Sequence, residues 1–451
     1  MPVNASPLLQ GPILPTLLRL ALPNVFAMVA ATAVGIGETV YVGLLGKTAL
    51  AAMALVFPFV MLMQMFSAGA MGGGVSSSVA RALGAGQPAR AQQLATHAVV
   101  IGLVAGASFT VLLWLFGPTL YRLLGGRGEV LAEAVRYGAW VFLATPAIWL
   151  FNTLISIVRG SGNMRIPSGA ILAVSLLQVA CGATLGLGLG GVPRLGMQGV
   201  ALGQVIAYAA AAMVLWWYVR HGPSKVRLVF LGVALQGPLF RDILRVGALA
   251  CLSPLLTVAT ILVVTSLVAA HGNDALAGYG IGSRLEFLLV PIAFGVGVAA
   301  VPMVGMAIGA GQVARARRVA WAAAGLSAVL LGTVGLLLAA WPSLWTSLFS
   351  RDPAVLAHAA SYLRWAGGGF VFFGLGLTLY FAAQGSGHVA APVAASFLRF
   401  LFVLAGGQWL AASGAGPSAL FALVGAAMAV YGCATALGVW RTRWGPATQR
   451  A

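Results

Sequence analysis

Apolar stretches long enough to cross a membrane recur along the whole of this chain. A helix needs roughly 20 apolar residues to pass through the hydrocarbon core of a bilayer. Only 7% of the residues are charged and 61% are hydrophobic, whereas roughly a quarter of the residues in a soluble domain are charged. The sequence therefore predicts an all-α membrane protein with many spans, because a helix satisfies its own backbone groups in lipid.

Hydropathy, proline and glycine breaks and clusters of charge predict twelve transmembrane helices. Those of the first half are placed near residues 16–45, 49–80, 92–116, 130–157, 166–187 and 197–219. Those of the second half are placed near residues 243–270, 276–308, 317–341, 355–383, 389–411 and 418–440. Because twelve is an even number, both termini are predicted to lie on the same side of the membrane.

The basic residues of the connections identify that side. Of the 25 lysines and arginines, sixteen fall in connections on the side of the termini and five in connections on the other side. Cytoplasmic loops carry the excess of positive charge, so both termini are predicted to be cytoplasmic, in a bacterial inner membrane. This orientation also accounts for the net charge of +18, and nucleic acid is not expected as a partner.

An internal repeat with a displacement of 225 residues is the strongest feature of the sequence. GAGQPARA at residues 84–91 returns as GAGQVARA at residues 309–316. GSGNMRIP at residues 160–167 returns as GSGHVAAP at residues 385–392. Chance does not keep one displacement over separated segments, so the two halves are predicted to be equivalent structures.

Six spans in each half give the two halves the same topology. They are therefore predicted to be parallel repeats, related by a pseudo-two-fold axis along the membrane normal, with a site between them. Residues 1–220 are assigned to an N-terminal six-helix bundle, residues 221–240 to a cytoplasmic linker and residues 241–451 to a C-terminal six-helix bundle. Within the spans, the GxxxG spacings of Gly102 with Gly106 and of Gly199 with Gly203 predict close helix packing inside the chain.

The repeated segments, together with ETVYVG from Glu38 and ALAGYGIG from Ala275, resemble the multidrug and toxic compound extrusion (MATE) family. The resemblance extends over nearly the whole chain. Within that family the sequence is most similar to the branch of the DNA-damage-inducible protein F. The resemblance implies a V-shaped pair of bundles around a central cavity. It also implies that amphipathic, often cationic compounds are exported by alternating access, driven by inward flow of H⁺ or Na⁺.

Glu38 is the first candidate for coupling to the driving cation. It lies inside the first predicted span, where an ionised carboxylate costs several kcal/mol unless it faces a cavity, a partner or a bound cation. Its position matches the acidic residue of the family's first-span motif, which is more often Asp, so the extra methylene changes the binding geometry. The alternative is a structural ion pair.

Glu286 is the second candidate for coupling, with a structural ion network as the alternative. Arg284 lies two residues before it, and such positions point to nearly opposite sides of a helix, so each side chain is expected to have another partner. Residues 246–270 and 362–384 contain no acid, whereas some sodium-coupled members of the family carry acidic ligands there. This absence favours H⁺ over Na⁺, although a sodium site of carbonyl and hydroxyl oxygens would leave no sequence signature.

The substrate cavity is assigned to polar and aromatic residues within the spans. Such groups usually face protein or water rather than lipid, and the alternative for each is a hydrogen bond between helices. The residues assigned to the cavity are Tyr41, Gln64, Trp149, Asn152, Gln178 and Arg284.

Other functions have weaker support. A flippase for a lipid-linked saccharide or a similar amphiphile would need a large cavity, and the in-span Arg136, Arg284, Arg364 and Arg399 could hold its pyrophosphate. No nucleophile–base pair supports an enzyme, no spacing of ligands predicts a metal site, and no cofactor is expected. No nucleotide-binding loop is present, so no ATPase subunit is expected either.

Overall fold

The structure, a computed structural model, describes residues 7–229 and 234–445, and the regular elements of these residues are helices. Residues 230–233 of the predicted linker lie outside the described residues. In chain order the helices are α1 Pro7–Gln10, α2 Ile13–Gly43, α3 Lys47–Gln64, α4 Gly72–Gly84, α5 Pro88–Leu123, α6 Gly128–Leu143, α7 Thr145–Gly160, α8 Arg165–Leu187, α9 Gly196–His221, α10 Gly237–Ala250, α11 Leu252–Ala269, α12 Asn273–Gly309, α13 Val313–Ala340, α14 Ser343–Thr346, α15 Pro353–Ala366, α16 Gly369–Ser386, α17 Ala390–Ala412 and α18 Pro417–Arg441.

The predicted spans are confirmed by helices of matching position. Within the described ranges, 11 helical segments are long and apolar enough to cross a membrane, or up to 12 if the bent pair α6–α7 is one span. The protein is therefore a multi-pass α-helical membrane protein. The fourth predicted span is broken by a bend of 41° between α6 and α7, and the tenth is divided at the corresponding place, between α15 and α16.

The repeated GAGQ motif forms the same helix end in both halves. Gly86 and Gly311 both have φ 73°, a left-handed conformation that glycine adopts without steric cost. After α4, the amides of Gly86 and Gln87 donate to the carbonyls of Leu83 and Ala82, at 3.0 and 2.9 Å. This is the Schellman arrangement, in which a glycine past the helix end lets the chain satisfy the last carbonyls.

The second copy of the motif repeats these bonds after α12. There the amides of Gly311 and Gln312 donate to the carbonyls of Ile308 and Ala307, at 3.0 and 2.8 Å. The repeat recognised in the sequence is thus a repeat of hydrogen-bonded geometry.

Replacing Gly311 by Ala should lower the free energy of unfolding by about 1 kcal/mol, because a β-carbon is strained in the left-handed region. No atom lies within 4 Å of the added methyl group, so the loss would come from the backbone alone. The measurement is thermal unfolding of the purified protein in detergent. Gly325→Ala is the matched control, since Gly325 lies inside α13 with open space around it and without a positive φ. Equal melting temperatures for both variants would contradict the prediction.

The chain divides by its contacts into two compact units. One unit, called here the first-half unit, contains residues 26–229 and 234–247. The second-half unit contains residues 7–25 and 248–445. The boundaries at residues 220 and 241 remain a prediction from the repeat. By their contacts, residues 7–25, which lead into the first half, belong to the second-half unit, and residues 234–247, which lead into the second half, belong to the first-half unit.

Both of these leading segments are held by an arginine of the repeated motif. In the first-half unit, Asp242 of α10 accepts hydrogen bonds from Arg81, at 3.0 Å, and from Arg90, at 3.1 Å. In the second-half unit, Arg315 donates to the carbonyl oxygens of Leu8 and Gly11, at 3.1 and 2.6 Å. Arg90 and Arg315 occupy equivalent positions of the repeat, so the same residue anchors a leading segment in each unit.

The predicted close packing at GxxxG spacings is confirmed within the chain. A β-carbon on Gly203 of α9 would lie 2.4 Å from the amide nitrogen of Gly182 on α8, and one on Gly199 would lie 2.5 Å from the carbonyl of Leu185. A β-carbon on Gly106 would lie 2.7 Å from Pro146 of α7. Small residues at these positions allow the two backbones to touch, which is how helices associate when lipid supplies no hydrophobic driving force.

Candidate functional site

The carboxylate of Glu38 is buried in the first-half unit, with 7% of the residue exposed. It lies on α2, and Nε2 of Gln178 on α8 donates to its Oε2 at 2.9 Å. A buried carboxylate is stabilised by such a donor, since an unsatisfied charge in an apolar interior costs several kcal/mol. The structure therefore brings together two residues that the sequence analysis had assigned separately, one to coupling and one to the cavity.

Two tyrosines near Glu38 belong to its neutral surroundings. Tyr41, one turn further along α2, and Tyr137 of α6 both interact electrostatically with its carboxylate. The hydroxyl of Tyr41 is buried with no hydrogen-bond partner in the described part of the chain, and it occupies space left by Gly182, where a β-carbon would lie 2.5 Å away. In the same described ranges no arginine or lysine forms an ion pair with Glu38.

A second polar cluster of the first-half unit is centred on Asn152 of α7. Its amide donates to Oε1 of Gln64 at 3.1 Å and to the hydroxyl of Ser67 at 2.8 Å. Gln64 in turn donates to the hydroxyl of Tyr208 on α9 at 3.0 Å. Gln64 ends α3, and Ser67 lies in the π-helical turn Met65–Met71 that joins α3 to α4, a kind of irregularity often found at functional sites.

Tyr208 connects this cluster to the carboxylate, because it also interacts electrostatically with Glu38. The sequence analysis did not select Tyr208 or Ser67. The signal that could have found Tyr208 is its position one turn after Gln204 in the sixth span, where a second polar group marks one face of the helix.

Trp149 lies in the packed interior of the first-half unit, with 2% of the residue exposed. Its ring is 5.8 Å from the ring of Phe109. Its indole nitrogen has no hydrogen-bond partner in the described part of the chain. The assignment of Trp149 to a substrate cavity stays a prediction.

The second-half unit holds an acid of its own, Glu286, which is half-buried. The hydroxyl of Tyr362 on α15 donates to Oε1 of Glu286 on α12 at 2.9 Å, and the Tyr279 ring packs edge-on against Tyr362 at 5.5 Å. Arg399 of α17 interacts electrostatically with Glu286. The expectation that Glu286 and Arg284 have different partners is met, because Arg284 is exposed and its guanidinium lies 5.4 Å from the ring of Phe349.

The two acids face equivalent tyrosines of the repeat. Tyr137 and Tyr362 are separated by 225 residues, and each interacts with the carboxylate of its own unit. The acids themselves are not equivalent, because Glu38 comes from the first span of its half and Glu286 from the second. Within the described ranges there is no group of three or more His, Cys, Asp or Glu side chains that could hold a metal ion.

Residues 23–184 and 250–409 of the chain match the family model described as MatE. These two matched segments correspond to the two halves of the internal repeat. Together they include Glu38 and Glu286, and they leave out the whole of the sixth span, the linker and the last span.

Curated relatives carry names of two kinds. A protein of Shewanella oneidensis named FAD transporter is 24% identical over 79% of this chain and 78% of its own length. The probable multidrug resistance protein YoeA of Bacillus subtilis is 26% identical over 85% of this chain and 82% of its own length. A probable multidrug resistance protein NorM of Neisseria meningitidis serogroup B is 27% identical, with coverage of 78% and 77%.

Solved structures share the fold. A MOP superfamily transporter from Pyrococcus furiosus, whose structure is described as having a binding pocket of reverse polarity, superposes with a TM-score of 0.89 at 21% identity and covers 96% of this chain and 97% of its own. A MATE structure in complex with MaD5 superposes with a TM-score of 0.86 at 20% identity and covers 97% of each chain. At this level of identity the likeness concerns the fold.

Proposed function

The chain belongs to the MatE family of multidrug transporters, and from this premise we propose that it exports amphipathic, often cationic compounds in exchange for inward-moving H⁺. The observation that carries the proposal is the buried carboxylate of Glu38, which has a neutral amide and three phenols around it and no ion-pair partner in the described part of the chain. Such a carboxylate is open to neutralisation by a proton or by a cationic substrate, but not by both at once.

The atom that faces Glu38 favours a proton over Na⁺ as the coupling ion. Hard cations are bound by oxygen atoms, whereas Gln178 presents its Nε2 donor to the carboxylate. The amide of Gln178 is oriented with its –NH2 group toward Glu38, because only that group can donate a hydrogen bond to an ionised carboxylate. A donor stabilises the ionised carboxylate and leaves room for a proton on its other oxygen. Glu286 is the second candidate for coupling, in the second-half unit.

The coupling step in this proposal runs through α2. Protonation of Glu38 removes the charge that the Gln178 amide stabilises, and the first span then shifts so that substrate leaves outward. α2 contributes residues to both units, because its part up to Val25 belongs to the second-half unit and its part from Phe26 to the first-half unit. A change at Glu38 therefore acts on a helix that is shared by both.

We also propose the assignments of membrane and sides on the charge distribution. Sixteen basic residues in connections on one side against five on the other support cytoplasmic termini in a bacterial inner membrane. Two further assignments are also proposals. One is the similarity to the DNA-damage-inducible protein F branch, and the other is the substrate cavity, lined by Tyr41, Gln64, Trp149, Asn152, Gln178 and Arg284. The proposed transporter works without a cofactor and without an ATPase subunit.

A second candidate function is transport of an anionic amphiphile that contains a pyrophosphate, such as a lipid-linked saccharide or a dinucleotide. Two observations favour it. Arg399 places a guanidinium in the interior of the second-half unit, with 7% of the residue exposed, and one relative is named FAD transporter. Arginine binds phosphate groups in a bidentate manner, which gives such a residue a role in anion recognition.

Flux through proteoliposomes distinguishes these functions. Purified protein would be reconstituted, and uptake of a cationic dye would be compared with uptake of FAD under an imposed pH gradient and under an imposed Na⁺ gradient. We expect dye flux driven by the pH gradient alone, with protein-free liposomes as the control. Dye flux driven only by Na⁺ would overturn the choice of ion, and uptake of FAD without any dye flux would favour the second candidate.

A further inference from the structure

We propose that the linker and the two helix ends that it joins form a binding surface for the phosphate groups of anionic lipids. This surface, called here the basic strap, extends over residues 220–245 and belongs to the first-half unit. Its exposed basic residues are Arg220, Lys225, Arg227, Arg241 and Arg245. The inference is independent of the transported compound, and it takes from the proposed function only the cytoplasmic side of the linker.

The helices on either side place the strap at the boundary of the membrane. α9 and the segment Gly237–Ala269, which begins with α10, are both long and apolar enough to cross a membrane. Because the strap joins the end of one span to the start of the next, both of these helix ends lie on the same side. Just before Arg220, α9 carries Trp217, which is 64% exposed, and Tyr218. Such aromatic residues gather at the level of the lipid headgroups, so the strap begins at that level.

The middle of the strap is held against the first-half unit by alternate residues. Val226 and Leu228 are buried in the hydrophobic core of that unit, whereas the basic residues between and beside them are exposed. The carbonyl oxygen of Val229 accepts a hydrogen bond from the hydroxyl of Thr96 on α5, at 2.9 Å. The charged side chains therefore start from a backbone that is already ordered, which lowers the entropic cost of binding a ligand.

The charge of the strap is not neutralised within the described part of the chain. Asp242 is the one acid in the sequence of the strap, and it accepts hydrogen bonds from Arg81 and Arg90. The ion pairs of the described ranges include none of the five basic residues. On α10, Arg241 and Arg245 are exposed and four residues apart, a spacing at which like charges repel each other. An anion bound between them would relieve this repulsion.

A lipid phosphate is the anion that fits this position. Arginine binds phosphate through paired hydrogen bonds, and lysine binds it as a point charge. Clusters of about four to eight basic residues directly beside a span bind anionic lipids, with about 1 kcal/mol for each residue near the surface. A soluble anion meets the same side chains only from dilute solution, whereas a lipid headgroup is already concentrated at this level of the bilayer. The surface is therefore assigned to a phosphate that is anchored in the membrane.

Thermal unfolding in nanodiscs of defined lipid tests this inference. Melting temperatures of the protein would be compared in anionic phosphatidylglycerol and in zwitterionic phosphatidylcholine. We expect the wild type to melt about 4 °C higher in phosphatidylglycerol. High salt should reduce this difference, because it screens charges at the surface. A wild type that melts at the same temperature in both lipids would overturn the proposal.

Two matched triple variants locate the effect on the surface. The strap variant removes three exposed charges of the strap and should lose most of the rise: Arg227→Gln/Arg241→Gln/Arg245→Gln. The control variant removes three exposed charges of the same unit on the predicted opposite side and should keep the rise: Arg122→Gln/Arg127→Gln/Arg194→Gln. An equal response of the two variants would contradict the proposal, because the lipid effect would then not depend on the strap.

Two further measurements use the wild type alone and do not depend on the folding of the variants. Native mass spectrometry after incubation with equal amounts of the two lipids should show more phosphatidylglycerol than phosphatidylcholine bound, and equal retention would contradict the inference. Inorganic phosphate, added at constant ionic strength to the protein in phosphatidylcholine, should leave the melting temperature unchanged. A rise as large as that in phosphatidylglycerol would identify a soluble ligand and overturn the choice of lipid. None of these assays needs transport, so failure of dye flux bears on the proposed function alone.

Discussion

The Glu38→Gln variant is expected to lose gradient-driven dye flux down to the level of protein-free liposomes. Glutamine keeps the size of the side chain and can still bond to Gln178, but it can neither ionise nor take up a proton. In the wild type, a proton or a cationic substrate removes the cost of the buried charge on Glu38. Glutamine carries no such charge, so no driving force remains for the exchange of proton and substrate. Flux would be measured under the same imposed pH gradient as for the wild type.

The matched control for this prediction is Glu129→Gln. Glu129 is an exposed acid in the first turn of α6 in the same unit, so its replacement should leave flux unchanged. Glu38→Asp keeps an ionisable group and should retain part of the flux, with a shorter reach toward Gln178. If Glu38→Gln transports as well as the wild type, proton coupling through this residue is excluded.

Replacement of Gly203 by Ala is expected to cost about 3 kcal/mol of stability, because overpacking of a tight contact forces backbones apart. The added carbon would lie 2.4 Å from the amide nitrogen of Gly182, 2.6 Å from its Cα and 3.0 Å from the carbonyl carbon of Cys181. All three are backbone atoms of α8, so no side chain can rotate away to make room. The expected results are a lower melting temperature and a smaller monodisperse peak in size-exclusion chromatography.

Gly169→Ala is the control for this helix pair. Gly169 also lies on α8, but no atom is found within 4 Å of an added β-carbon. Alanine favours helix more than glycine does, so this variant should be as stable as the wild type or slightly more stable. Equal behaviour of Gly203→Ala and Gly169→Ala would show that α8 and α9 do not approach as closely as described.

The spans and the repeat could be predicted because they depend on local properties of the sequence. Hydrophobicity along 20 residues indicates whether a segment can enter lipid. A fixed displacement between repeated segments indicates that the two halves of the chain are equivalent structures. The motif GAGQ even indicates a specific helix end, since glycine there adopts the left-handed conformation that Gly86 and Gly311 show. None of these inferences requires knowledge of which helices touch.

The partners of the buried charges could not be predicted in the same way. Gln178 and Glu38 are 140 residues apart in the sequence, and hydropathy does not state which face of α8 meets α2. Asp242 binds Arg81 and Arg90, which are 161 and 152 residues away in the sequence. Arg399 was considered only as a ligand for a pyrophosphate, because its contacts with Thr257 on α11 and Tyr431 on α18 appear only when these helices pack together.

The exchange of leading segments between the two units has a consequence for biogenesis. Residues 7–25 are synthesised before residues 248–445, with which they pack. The first-half unit is likewise incomplete until residues 234–247 have been made. Domains usually fold one after another during synthesis, but here neither bundle can mature before translation has passed the linker. The part of α2 up to Val25 is therefore made before the residues with which it packs.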